Sequence, residues 1–177
     1  ELIIGVSGGI AAYKTAMLVS TLVQDGHGVT VVMTRSARKF IGAATFRALT
    51  GRPVATQPFD RDYPLGAHIE LADKAQLLCV APASADLIGK AANGLADDLL
   101  STLLLSFTGP IVFAPAMNTA MWEKPSVQRN IETLRTDGYH IIDPDSGWQS
   151  CRRSGKGRMP DPAEIQKTIE TILTTKK

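Results

Sequence analysis

The sequence is short of several things, and each shortage removes a class of function. Only two of its 177 residues are cysteine, Cys79 and Cys151, too few for a disulfide framework. Basic and acidic side chains nearly cancel, 19 against 17, leaving a formal charge of +2. No basic field is present to gather nucleic acid or an anionic membrane. No apolar run approaches a transmembrane length, and Leu2–Val6 is too short for the core of a signal peptide. Cysteine and histidine show no metal-ligand spacing, and no serine sits on a strand-to-helix nucleophile elbow. What remains, 44% hydrophobic and 20% charged, is the composition of a soluble globular protein. The expectation is one cytoplasmic domain, residues 1–177, with a sizeable core and neither membrane nor nucleic acid as partner.

Four short apolar runs bounded by turn residues predict buried parallel strands: Leu2–Val6, Val29–Met33, Ala75–Ala81 and Pro110–Ala116. A weaker fifth covers Tyr139–Asp143. Helical patterns lie between and after them, over Ile10–Gln24, Ala43–Leu49, Ser84–Asn93, Asp97–Leu105, Ser126–Thr136 and Ala163–Leu173. Alternation of this kind predicts an α/β fold: a three-layer α/β/α sandwich around a Rossmann-like, flavodoxin-like parallel sheet. Ligands of such sheets gather beyond the carboxyl ends of the strands. Arg52–Gly66, with three prolines, is the one long irregular stretch.

Candidate site residues cluster at the strand ends. In "GVSGGIAAYK", Gly8 and Gly9 let the backbone approach an anion at a helix N-terminus, or simply make a tight turn. The stretch is neither a Walker loop nor a G-x-G-x-x-G fingerprint. Thr34 and Ser36 follow the second strand, placed either to bond a ligand or to cap the next helix. Ser84, after the third strand, has the same two readings. Asn118 in "PAMNTAMW" offers an amide N–H to a carboxylate, or an N-cap with Met and Trp in the core. His68 in "GAHIEL" is a lone histidine, a structural hydrogen bonder or a general base. "GWQSCRRSGKGRM" sets Cys151 among glycines and cations, where it cannot serve a core. Cys79, on an apolar strand, reads as a small buried hydrophobe.

Taken in order, "GVSGGIAAYK", "HIEL", "PASADLIGKAANGLADDLLS", "PAMNTAMW" and "DSGWQSC…GKGRM" resemble the homo-oligomeric flavin-containing cysteine decarboxylases. The resemblance spans almost the whole chain, and "PAMNTAMW" with "C…GxGRM" is its specific part. It implies FMN as cofactor and a small-molecule substrate. The implied reaction decarboxylates 4′-phosphopantothenoylcysteine to 4′-phosphopantetheine, through oxidation to a thioaldehyde, loss of carbon dioxide and re-reduction of the enethiol. By motif, His68 is then the base of the oxidative half and Cys151 the proton donor of the reductive half. Asn118 holds the substrate carboxylate, with Met121 beside it, and Trp148, Gln149 and Ser150 form a covering flap. Gly8, Gly9, Ile10, Thr34, Ser36, Ser84, Ala85, Asp86 and Ala116 fall on flavin-contacting positions. The resemblance also implies trimers that build the site between neighbours, in some members assembled into dodecamers. Asp86 stands where the family commonly has Asn, and Arg152 where a small residue is usual. Two other members of the same fold stay open: a peptidyl-cysteine decarboxylase, and a non-catalytic flavin-binding regulator.

Overall fold

The computed structural model describes residues 1–59 and 63–175. Five parallel strands form the central sheet: β1 (Leu2–Val6), β2 (Val29–Met33), β3 (Leu77–Ala83), β4 (Ile111–Pro115) and β5 (His140–Ile141). Their spatial order is β2-β1-β3-β4-β5, the doubly wound flavodoxin-like order. Every residue of β1 to β4 is buried, which is why these strands appear in the sequence as unbroken apolar runs rather than alternating ones. β5 is shorter than its sequence pattern predicts, because only Val112 and Phe113 pair with it.

Alternation returns in three dimensions. Leu2, Ile4 and Val6 face one core, which α1 (Ala12–Gln24), α2 (Ala43–Thr50) and α8 (Pro162–Thr175) close. Ile3, Leu78, Val80 and Phe113 face the other, beneath α3 (Ala67–Lys74), α4 (Ala85–Ala92), α5 (Leu99–Ser106) and α7 (Pro125–Thr136). α1 shows the reason for its placement: Ala12, Thr15, Leu18, Val19 and Leu22 share one buried stripe. Among the described residues no helix is long and apolar enough to cross a membrane.

Three elements differ from the sequence expectations. His68 lies in helix α3, where the sequence pattern predicts no helix. Ala67 and Leu71 provide its only buried positions, and Glu70 and Lys74 pair at 3.7 Å one turn apart. A helix with so narrow an apolar stripe leaves little periodic signal. A single-turn helix, α6 (Thr119–Trp122), follows β4. The glycine-rich segment is an antiparallel hairpin, β6 (Asp145–Trp148) and β7 (Ser154–Arg158), separate from the main sheet. Arg52–Gly66 is irregular as expected over its described part, apart from the bridge of Ala55 to Val32; residues 60–62 lie outside the described residues.

The sheet is tied at the place where its strand order reverses. The β3–β4 ladder shifts register between Val80 and Ala83, around Pro82, which has no N–H to give. Ser7, at the end of β1, fills the gap. Its hydroxyl donates to the Pro82 carbonyl at 2.7 Å and accepts from the Ser84 N–H at 2.7 Å. Thr15 of α1 donates to the Ala81 carbonyl at 2.7 Å. Ser7 and Thr15 are both fully buried, so neither bond has water as an alternative partner. Replacing Ser7 by Ala leaves the Ser84 N–H without its acceptor and removes one of two donors to the Pro82 carbonyl, which keeps only the Ser7 N–H at 3.2 Å. It is expected to lower the unfolding free energy by about 1–3 kcal/mol in urea titrations.

Candidate active site

The cleft opens beyond the carboxyl ends of β1, β3 and β4, at the switch point that Ser7 braces. Its volume is about 340 Å³, within the range of pockets for cofactors and small molecules. Twelve residues singled out from the sequence line it together: Gly8, Gly9, Ile10, Ser84, Ala85, Ala116, Asn118, Met121, Trp148, Gln149, Ser150 and Cys151. Met117, expected as apolar surface beside Asn118, lines it too; Tyr13, Lys14, Arg158 and Met159 also line it and were missed. Lys14 and Arg158 had a signal, since each lies in a motif singled out as functional.

One wall is the start of α1, which has no side-chain cap. The N–H groups of Ala12 and Lys14 donate to the Gly9 and Ala11 carbonyls, and the positive end of the helix dipole favours an anion beside them. Gly8 is required by close approach: a Cβ there would come within 2.5 Å of the Ser36 Cβ. Gly9 is different, because a Cβ would meet only Pro82 Cγ, at 3.8 Å. Ser84 caps α4, its Oγ accepting from the Leu87 N–H at 3.3 Å, and so combines its structural reading with a place in the cleft.

The second wall carries Asn118. Its Oδ1 accepts from the Met121 N–H at 3.0 Å and caps α6. That bond fixes which way the amide faces and leaves the NH2 group to donate. Trp122 is buried, as the core reading of this motif has it, whereas Met121 is 41% exposed at the mouth of the cleft.

The hairpin makes the third wall. At its tip the Arg152 N–H donates to the Gln149 carbonyl at 2.9 Å, and the Gln149 N–H to the Arg153 carbonyl at 2.8 Å. Arg152 adopts φ 61°, a left-handed conformation that costs a side chain roughly 1–2 kcal/mol. This gives a backbone reason for a small residue at that position. Cys151 is exposed, with its Sγ donating to Gln149 Oε1 at 3.5 Å.

Four residues singled out from the sequence do not line this cleft. Thr34 accepts from the Ala37 N–H at 3.2 Å, which favours its capping role. Ser36 abuts Gly8 and shapes the turn from outside. Asp86 points to Lys90 at 3.2 Å, which also holds Asp97 at 3.1 Å. Burial works against the Lys90 ammonium, but Asp97 and Asp86 outweigh it and hold Lys90 above the ordinary lysine value. Asp97, hydrogen-bonded to Lys90, falls below the usual carboxylate value. His68 stands on α3, which packs on α5 in the other helix layer. Its Nδ1 is buried without a hydrogen-bond partner among the described residues.

An uncapped helix start, small residues at two neighbouring turns and soft apolar walls at Met117, Met121 and Trp148 suit a flat ring system with a phosphate tail. Fold and cleft together define a flavodoxin-like α/β ligand-binding protein. Residues 1–174 match the family model described as Flavoprotein; the chain belongs to the flavoprotein family. It is 49% identical over 166 residues to the coenzyme A biosynthesis bifunctional protein CoaBC of Bacillus subtilis, covering 93% of this chain and 41% of that protein. The CoaBC of Mycobacterium tuberculosis is 46% identical over 173 residues, covering 98% and 41%. The chain thus spans about two-fifths of these relatives' length. Among solved structures, the FMN-dependent cysteine decarboxylase SpaF superposes with a TM-score of 0.84 at 34% identity, covering 99% of this chain and 95% of that one. A Cys-to-Ser variant of PPC decarboxylase, complexed with pantothenoylaminoethenethiol, gives 0.87 at 28% identity, covering 98% and 97%.

Cys79 lies in the floor of the sheet, fully buried, as its place on an apolar strand predicts. Burial pushes its thiol from 9.0 up to about 12. The unfolded chain ionises first, so stability present below pH 9.0 is expected to decline as the pH rises towards about 12. In native protein at mildly alkaline pH, iodoacetamide should label Cys151 and spare Cys79; mass spectrometry of the peptides checks this.

Proposed function

We propose that this chain is a single cytoplasmic flavoprotein domain that binds FMN and decarboxylates 4′-phosphopantothenoylcysteine to 4′-phosphopantetheine, a step of the coenzyme A biosynthesis for which its CoaBC relatives are named. The observation that carries the reading is the convergence on one cleft of an anion seat, a fixed amide donor and a hairpin-borne thiol. Gly8, Gly9 and Ile10 at the α1 N-terminus would hold the cofactor phosphate, and Ser84, Ala85 and Ala116 would border its ring. Thr34, Ser36 and Asp86 act from behind these turns.

The net reaction is redox-neutral: a carboxylate is replaced by hydrogen. When bound, FMN supplies the acceptor for two electrons and returns them later in the cycle. Asn118 Nδ2 donates to the substrate carboxylate and orients the bond to be broken. Once the substrate carries a thioaldehyde, the carbon–carbon electron pair leaves into the sulfur-conjugated system as carbon dioxide departs. Cys151 then gives its thiol proton to the substrate carbon and is reprotonated from solvent. Lys14, Arg152, Arg153 and Arg158 provide cations for a phosphorylated substrate, and Trp148, Ser150 and Met121 cover it.

His68 as the base requires a second copy of the chain. Apolar side chains stand exposed near it, Leu65 at 74%, Ile69 at 44% and Leu105 at 54%, and Ile10, Tyr13 and Met17 stand exposed near the cleft at 57%, 57% and 59%. Burying the first set on the second, in a homotrimer or a dodecamer built from trimers, would bring His68 of one subunit to the cleft of the next. Co-expressed His68→Asn and Asn118→Asp variants, each inactive alone, are expected to regain activity in mixed oligomers. No regain on mixing would count against a site shared between subunits, and an active His68→Asn variant would place His68 outside the reaction.

Similarity to SpaF favours a second reading, oxidative decarboxylation of a peptide's C-terminal cysteine. The product mass decides. Loss of carbon dioxide alone from 4′-phosphopantothenoylcysteine supports the pantetheine-forming reaction; loss of two further hydrogens, or no reaction, supports the alternative or a binding role. Cys151→Ser is expected to stop at the product two hydrogens lighter.

A further inference from the structure

The β6–β7 hairpin has little to hold it by itself. Two short strands with no pairing to the main sheet are marginal in water. Its ties to the body include a backbone bond from the Met117 N–H to the Gly157 carbonyl at 2.9 Å, the Lys156 ammonium 5.7 Å from the Trp122 ring centroid and 3.6 Å from Asp143, which Arg135 of α7 also holds, and Gln149. The Gln149 side chain is 8% exposed. Its Oε1 accepts from the Thr119 N–H at 3.1 Å, from the Thr119 hydroxyl at 3.3 Å and from the Cys151 thiol at 3.5 Å. Its Nε2 faces the carbonyls of Met117 and Lys156, each at 3.4 Å. One amide therefore connects the hairpin tip, the opposite arm, the loop after β4 and the thiol. Gly155 and Gly157 permit the fit, since a Cβ at either would overlap Thr119 or Met117.

We propose that Gln149 is a positioning residue, a latch that seats the hairpin on Met117–Thr119 and aims the Cys151 thiol into the cleft. The inference rests on Cys151 being the proton donor of the proposed reaction. Only the reductive half needs the thiol, so at saturating substrate loss of the latch shows as a change in the product ratio. A side chain that merely stabilised the fold or bound substrate would lower both halves together.

The test uses the flavin-loaded, assembled protein at saturating substrate and Gln149→Met, which keeps length and removes every side-chain hydrogen bond. Whatever the total carbon dioxide released, most product should become two hydrogens lighter. Hydrogen exchange at the Met117 amide, whose acceptor is the Gly157 carbonyl of the hairpin, should be about fivefold faster, with the β1 amides unchanged as the sign of an intact core. Thr119→Val, which removes one donor without altering the hairpin, should move both readouts the same way by less, and it decides if Gln149→Met does not fold. Unchanged exchange overturns the latch, as does faster exchange with an unchanged product ratio. If the parent releases no carbon dioxide, the proposed reaction has failed, and exchange alone still decides whether Gln149 holds the hairpin shut.

Discussion

The Ser7 hydroxyl is the constraint on which the rest of the site depends. A proline inside a central strand interrupts the ladder, and that interruption would leave buried backbone groups unpaired. Ser7 gives the Pro82 carbonyl both its N–H and its hydroxyl and takes the Ser84 N–H on its oxygen, and so joins the ends of β1 and β3. The two turns that leave those strands diverge into different helix layers. The cleft is the space between them, and its width is set by a bond between backbone and a side chain with no access to water.

Around this brace, the polar residues at the strand ends have two duties at once. Ser84 and Asn118 each use one atom to cap a helix and stand in the cleft while doing so. For Asn118 the cap also orients the free end of the amide. Choosing between a structural and a functional reading of such a residue is thus a false choice when the helix starts at a binding site. Thr34 is the opposite case: its oxygen caps the following turn and it lies outside the cleft.

Much of the fold was legible because burial on both faces leaves a plain trace. β1 and β2 coincide with their apolar runs, and the order of strands and helices implies the layered sheet. The cleft was legible for the same reason, since its residues sit at strand ends that the runs mark out. α3 was not legible, because a helix covering the core with only Ala67 and Leu71 has almost no periodic stripe. Neither was the hairpin, whose glycines and cations resemble a loop in one dimension; its pairing is held by contacts with Thr119 and Met117, more than 25 residues earlier in the chain. The burial of Gln149 escaped for a related reason, as a polar residue beside an exposed Trp gives no sign that it faces inward.

The hairpin's independence from the main sheet has a further consequence. The glycine and small-residue turns that line the cleft are rooted in the protein's core, while the thiol belongs to a ribbon that could be lengthened, shortened or recharged without disturbing a single strand of that core. On the proposed reaction, holding a cofactor and completing its chemistry are therefore separable. A lineage built on this plan could change what it releases, or stop halfway, by rewriting about a dozen residues at one edge.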